Sequence, residues 1–392
     1  MNKTFKVIYS RARLSVTAVS EIARSVHKKG TKTVLAVGIG GLMMSGVAAA
    51  TNPYLEVKVN DEVVGNVSQD WTFDKFSEAV QDKTDVRLEL TNKGQSGVNA
   101  LEAKKEDCMI SGMESFKIHQ NSESDQAKSA DSTLYASNEK TLTINGVKNL
   151  EIDTTSNTVI HAFGGNVTID GADNVSILTT GNAVMAQTNG KATIEATESI
   201  LLKSTGSPTV FAGNFNNTSG KASVEIKSEG SLAVISDSSS AVSVNSNGIW
   251  NGNEYNGQGA GSVILQGKKG VSLIGETDGL RIRRLNQSSE KTVVKISSDE
   301  FVRIEATEKK ENEGAISVAT LSESSAETVI DAPQIILNGD VLLGHYFREN
   351  NTLNVTFDKT GAEAADKRKL TLNGTTTING EVKAASGTLV IN

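Results

Sequence analysis

The sequence predicts an all-β chain wound as a right-handed parallel β-helix, preceded by an N-terminal cap and a helical leader. Three observations predict this fold. Short aliphatic bursts recur with a period of 25 residues at Leu142, Val167 and Ala192. A second burst begins eight residues after the first in almost every unit. The composition is rich in Gly (35) and poor in Pro (3), with only 2 Trp, 5 Tyr and 10 Phe in 392 residues, so little aromatic volume is available for a thick globular core. Low hydrophobicity with polar turns also suits disorder, but the regular bursts argue against that reading.

The first burst of each unit falls at Leu142–Ile144, Val167–Ile169, Ala192–Ile194, Val224–Ile226, Val263–Leu265, Val293–Ile296 and Thr328–Ile330. The second starts at Leu150, Val175, Ile200, Leu232, Val271, Phe301 and Ile336. The third starts at Thr158, Ala183, Thr209, Ala241 and Leu280, then slips to Ala315 after the charged insertion Glu308–Gly314. Strands this short cannot bury a core alone. Coiled into a three-sided turn, they stack about 4.8 Å apart and align their inward side chains in columns. Val and Ile suit such columns because β-branched side chains pack with few rotamers to lose. A β-sandwich would need hairpins, which would not hold an eight-residue step. Handedness follows from the rule for parallel crossovers.

Residues 51–140 precede the clear repeat and are expected to form the cap and irregular first turns, with the repeats proper at 141–346. Tyr54–Val67 alternates like a hairpin. Trp71, Phe73, Phe76 and Val80 lie near helical spacing behind Thr72, a candidate N-cap. Those aromatics read as core, and Gln120–Asp131 reads as a polar loop. Residues 347–392 supply further turns at Leu370–Leu372, Thr377–Ile378 and Leu389–Ile391, and the sequence stops in mid-strand.

Residues 1–50 read as a removable export signal. Basic residues precede an uncharged run, Val34–Val47, and small residues then predict cleavage between Ala50 and Thr51. A membrane anchor is the competing reading, disfavoured by a short, Gly-rich run with no basic stop-transfer residues after it. Ahead of the run, Val16, Val19, Ala23 and Val26 fall at helical spacing among basic residues. A helix of that kind can lie on an anionic membrane surface.

The leader resembles the extended signal peptide region of Gram-negative type V secretion proteins. The resemblance is carried by Met1-Asn2-Lys3, Phe5, Val7-Ile8-Tyr9, Ser20-Glu21-Ile22-Ala23 and Lys28-Lys29. It implies an autotransporter passenger, or a two-partner secreted protein, that uses the Sec export machinery. It also implies an outer-membrane translocator encoded downstream or separately. The destination is then the cell surface or medium, or the periplasm if no translocator is supplied. The Asn-Pro-Asn motifs of two-partner secretion are missing, and Asn52-Pro53-Tyr54 does not match them. No translocator-like run of barrel strands follows Asn392, so the chain reads as a passenger fragment or a passenger without its own pore.

Charge and motifs narrow the chemistry. Residues 1–50 carry +7 and the whole chain −7, so the body carries −14, a poor partner for nucleic acid. The single Cys108 reads as a buried thiol. The four histidines are scattered without metal spacing, and no nucleophile elbow or phosphate-binding loop is present, so no cofactor is expected. The residues following the first burst form a column: Asn145, Asp170, Glu195, Lys227, Gln266, Ser297, Asp331. Asp170 and Glu195 are the one candidate carboxylate pair, although alternating charge on an outward column is more simply a solvated face. Arg281, Arg283 and Arg284 alternate with Leu280, Ile282 and Leu285 as outward residues of a strand.

The expected function is therefore structural: a rigid, non-enzymatic coil presenting loops for adhesion to a host surface or for self-association. Candidate contacts are Trp250, Asn253 and Tyr255 in the longest loop, Asn247–Gly261, together with Arg283, Arg284 and the Glu308–Gly314 insertion. Two alternatives stay open: a secreted glycan-active enzyme using Asp170 and Glu195, and a non-functional passenger fragment.

Overall fold

The computed structural model describes residues 55–65, 71–93, 98–123, 131–214, 220–246, 249–250, 255–256, 260–284, 291–308, 313–320, 325–344, 368–384 and 387–392. The leader residues and the Ala50–Thr51 cleavage site lie outside them. All described residues fall in one compact unit, Pro53–Asn392.

That unit is a parallel β-helix with three faces. Face A holds the first bursts, face B the second and face C the third. On face A, Ile144, Ile169, Ile194, Ile226, Leu265, Ile296, Ile330 and Leu372 pair in register from coil to coil. On face B the column runs Leu150, Val175, Ile200, Leu232, Val271, Val302 and Ile335. On face C it runs Ile160, Val184, Val210, Val242, Leu280, Ile316 and Val341. All of these residues are buried. Each contributes about 1.5–3 kcal/mol by leaving water, which offsets the entropy of ordering a three-to-six-residue strand.

The constant eight-residue step has a structural cause. In Asn166–Thr179, Lys191–Ser204 and Ser325–Asn338 the chain turns the A–B corner without leaving the strand, so faces A and B belong to one sheet. Face C forms a second, ten-stranded sheet. Across these corners the step changes by no more than one residue from coil to coil.

Two expected strand starts shift by one residue. Val302 and Ile335 point inward, whereas Phe301 and Ile336 do not. Phe301 lies outside because Gly270 leaves room for its ring: a Cβ on Gly270 would stand 2.5 Å from the Phe301 ring. In the next coil the corner from Asp331 to Gln334 is one residue shorter than that from Ser297 to Phe301, which brings Ile335 inward in place of Ile336.

Parallel stacking already begins at β3 (Asp85–Asn92), which pairs with Ser115–Ser122. This lies within the stretch expected to hold irregular first turns. An antiparallel hairpin covers its outer edge. Strands β1 (Leu55–Val59) and β2 (Glu62–Gly65) meet at Asn60-Asp61, both at positive φ, and β1 pairs antiparallel with β3. The two-residue loop with left-handed backbone is what a tight hairpin requires. Helix α1 (Phe73–Val80) starts at Thr72, whose hydroxyl accepts from the Lys75 N–H at 3.4 Å. Phe76 is its buried anchor, with its ring 5.6 Å from Phe116 and 6.4 Å from Trp71. The Trp71 indole donates to the Ala100 carbonyl at 2.6 Å. The aromatic trio is core, as its spacing suggested. At the other end, Arg368–Asn379 stacks on Ser325–Asn338, and Thr388–Ile391 stacks on Lys369–Leu372.

Candidate functional site

Insertions concentrate where the sheet hydrogen bonding is interrupted. From face C to face A the early connections are tight, at 138–140, 164–165 and 188–190. The later ones run over 215–220, 247–259, 285–290, 321–324 and 344–367, all leaving from that same corner. The B–C corner takes the other two insertions, 123–131 and 307–315.

Within the longest loop, Trp250 and Tyr255 face one another across a two-residue antiparallel pairing, and Asn253 lies outside the described residues. Arg283 is an outward position of the face C strand Leu280–Arg284, in register with Asn245, and Arg284 pairs with Ser246. Leu280 and Ile282, which alternate with Arg281 and Arg283, are fully buried, and the Arg284 side chain and Leu285 lie outside the described residues. Arg281 stands 4.0 Å from the buried carboxylate of Asp278. That carboxylate accepts from Ser317 Oγ at 2.6 Å, Ser240 Oγ at 3.2 Å and the Gly314 N–H at 3.2 Å. Burial pushes the Asp278 carboxyl above its ordinary value against these bonds. The Glu308–Gly314 insertion is thus fastened at its Gly314 end by a carboxylate of the preceding coil.

Asp170 and Glu195 follow the paired Ile169 and Ile194 on adjacent coils, at a break in register. Asp170 registers with Asn145, the register is interrupted between Ile169 and Ala172, and Glu195 is ion-paired with Lys227 at 3.5 Å. Cys108 is buried, and desolvation followed by nearby carboxylates pushes its thiol up to about 11. It stays protonated at neutral pH and is a poor nucleophile.

One feature escaped the sequence reading. Face C carries an outward column of Glu102, Tyr135, His161, Met185 and Phe211, one residue per coil and in register. Phe163 lies beside it on the same strand as His161 and is 39% exposed. The imidazole of His161 is held from both sides. Its Nδ1 lies 3.1 Å from Ser132 Oγ in the preceding coil, and its Nε2 lies 3.1 Å from Gln187 Oε1 in the following one. Tyr135 and Phe163 stand nearly perpendicular to it, at 77° and 72°, with ring centroids 5.3 and 5.9 Å away. Read at the coil period, the sequence carries this signal, because Tyr135, His161, Met185 and Phe211 recur at nearly that spacing. Attention to the inward aliphatics hid it.

Burial lowers the His161 pKa below its ordinary value, and the Gln187 hydrogen bond opposes this only in part. A folded-state pKa below the unfolded one means stability that is complete above about pH 6.5 and declines as pH falls through the folded value. His161→Gln is therefore expected to shrink the loss of urea midpoint between pH 7 and pH 5. Equal losses in wild type and variant would refute the assignment.

Residues 1–49 match the family described as the Extended Signal Peptide of Type V secretion system. Neither a curated protein nor a solved structure matches the chain.

Proposed function

We infer that this chain, a type V secreted protein by its extended signal peptide, is an exported β-helical passenger that works by contact rather than by catalysis. Export through Sec and passage through an outer-membrane translocator follow from that signal. Adhesion to a host surface or to a second cell, with the coil held at the cell surface, is our reading beyond it. The observation that carries it is the placement of variable length. The A–B corner changes by no more than one residue from coil to coil, whereas the two longest connections, 247–259 and 344–367, leave the C–A corner, so one edge of the coil presents most of the variable chain.

Two features of the polar groups support a non-enzymatic role. Glu195 is committed to Lys227. Ser132, beside His161, is 3% exposed, and the second imidazole nitrogen meets an amide rather than an orienting carboxylate.

The test is deletion of 247–259 from the full chain expressed on its native cells. Adhesion or cell aggregation should fall at least tenfold while surface amount, read by antibody, holds. Unchanged adhesion would refute the loop-edge reading. Cleavage of a polysaccharide, abolished by Asp170→Asn or Glu195→Gln, would establish the enzymatic alternative instead.

A further inference from the structure

We propose that the outward ladder Tyr135–His161–Phe163 on face C is a docking strip for a neutral polysaccharide chain lying along the coil axis. This deepens the adhesion reading by naming a ligand class, and it rests on that reading.

The placement of rings is the first argument. Beyond Phe116, no described aromatic ring points into the coils, where aliphatics fill the columns. Tyr135, His161 and Phe163 instead gather on the outside of two adjacent coils, the first two half-buried and Phe163 exposed, while Met185 and Phe211 on the coils above are buried. Scattered exposed hydrophobics need no explanation, but a contiguous ring cluster marks a contact site. The rings contribute nothing to the interior columns.

Rigidity is the second. The imidazole is pinned to the coil on each side of it, and its neighbours are set by edge contacts. Binding there costs little ordering entropy, which favours affinity from a small contact area.

The third argument is chemical. A pyranose chain is an amphipathic ribbon, with C–H faces that pack on aromatic rings and hydroxyl edges that need hydrogen bonds. The strip supplies both. With its Oε1 held by the imidazole, the Gln187 amide retains N–H donors, and Tyr135 offers a phenol. Coils rise about 4.8 Å, close to the length of one sugar, so the Tyr135 and His161 rungs meet successive residues. A peptide strand has no equivalent footing, because the backbone of Thr158–Phe163 already pairs with both neighbouring strands.

Charge selects a neutral ligand. Ser132, Tyr135, Phe163, Met185 and Gln187 carry none, and burial keeps His161 in its neutral form. Glu102 lies at the foot of the column and Arg281 enters it only three coils beyond Met185, past Phe211 and Ser243, so the strip itself offers a polyanion no cation.

The experiment is calorimetry of the purified secreted chain with cellohexaose, xylohexaose and laminarihexaose. We expect saturable binding to at least one. Phe163→Ala, at an exposed position, should weaken it at least tenfold without moving the thermal midpoint, and Tyr135→Ala should act likewise. Phe301→Ala, on face B, should leave it unchanged. No binding to any of the three, equal binding by Phe163→Ala, or binding only to heparin with loss on Arg283→Ala would overturn the proposal. Displayed cells separate the two readings. If adhesion disappears with the 247–259 deletion but persists in Phe163→Ala, the loop-edge function stands and the glycan strip falls.

Discussion

Gly181→Ala is expected to cost roughly 3 kcal/mol, the upper end of what overpacking usually costs, for the addition of one methyl group. A Cβ at this position would lie 1.8 Å from the Asn157 carbonyl oxygen, 2.4 Å from its carbon and 2.8 Å from its Cα. These are backbone atoms of the preceding coil, and they are not free to retreat: the Asn157 carbonyl accepts the Asn182 N–H at 2.8 Å. Nor can Gly181 move outward easily, since its own N–H donates to Thr179 Oγ1 at 3.1 Å. The penalty is steric rather than conformational, because Gly181 does not occupy the left-handed region. Gly112 provides the contrast. At φ +77 with open space around it, Gly112→Ala meets only the left-handed penalty of about 1–2 kcal/mol. Urea unfolding followed by circular dichroism compares the two. A Gly181→Ala midpoint no lower than that of Gly112→Ala would show that the coils can separate at this corner. Because each coil contacts only its neighbours, hydrogen exchange should also quicken around Asn157 and Asn182 before it does at distant coils.

The contrast between these glycines shows where sequence reading succeeds and fails. The inward columns were legible because one physical rule, burial of every second residue at a fixed period, writes itself into residue type. Ile144, Ile169, Ile194 and Ile226 could be aligned without a structure. Phe301 broke the rule because its outward position depends on Gly270 one coil below, a pairing invisible within its own strand. Tyr135 and His161 were missed for a related reason. Their spacing is periodic, but nothing in a single residue says that it faces outward onto a neighbour of matching chemistry. Asp170 and Glu195 looked paired because coil spacing placed them on adjacent turns. The register irregularity after Ile169, and Lys227 on the next coil beside Glu195, are local details that spacing does not carry. Corners, whose length and hydrogen bonding are local, carry the information that periodicity averages away.

Asp131→Ala is expected to lower stability by roughly 3 kcal/mol, the upper end of what stranding a buried polar group costs, although this residue read as the end of an unremarkable polar loop. Its side chain is fully buried. Oδ2 accepts from Asn92 Nδ2 at 2.5 Å and Ser122 Oγ at 2.8 Å, and Oδ1 accepts from the Val98 N–H at 2.9 Å. Its own carbonyl accepts the Thr158 N–H at 3.3 Å. One residue therefore links the first, second and third coils at the B–C corner, where the two sheets are discontinuous and only single backbone bonds such as Glu123 N–H to the Asn92 carbonyl join the coils. Asn92 and Ser122 are themselves fully buried, so truncation strands their donors away from water, and that loss exceeds the modest net gain of any one bond. Asp131→Asn should not rescue it, because the amide nitrogen brings a donor to a place already surrounded by donors. The effect should be local. Limited proteolysis of Asp131→Ala is expected to remove the cap and first coils while leaving a resistant fragment that begins near Leu142. A wild-type cleavage pattern and an unchanged urea midpoint would together show that the cap hairpin and α1 hold these coils without the carboxylate.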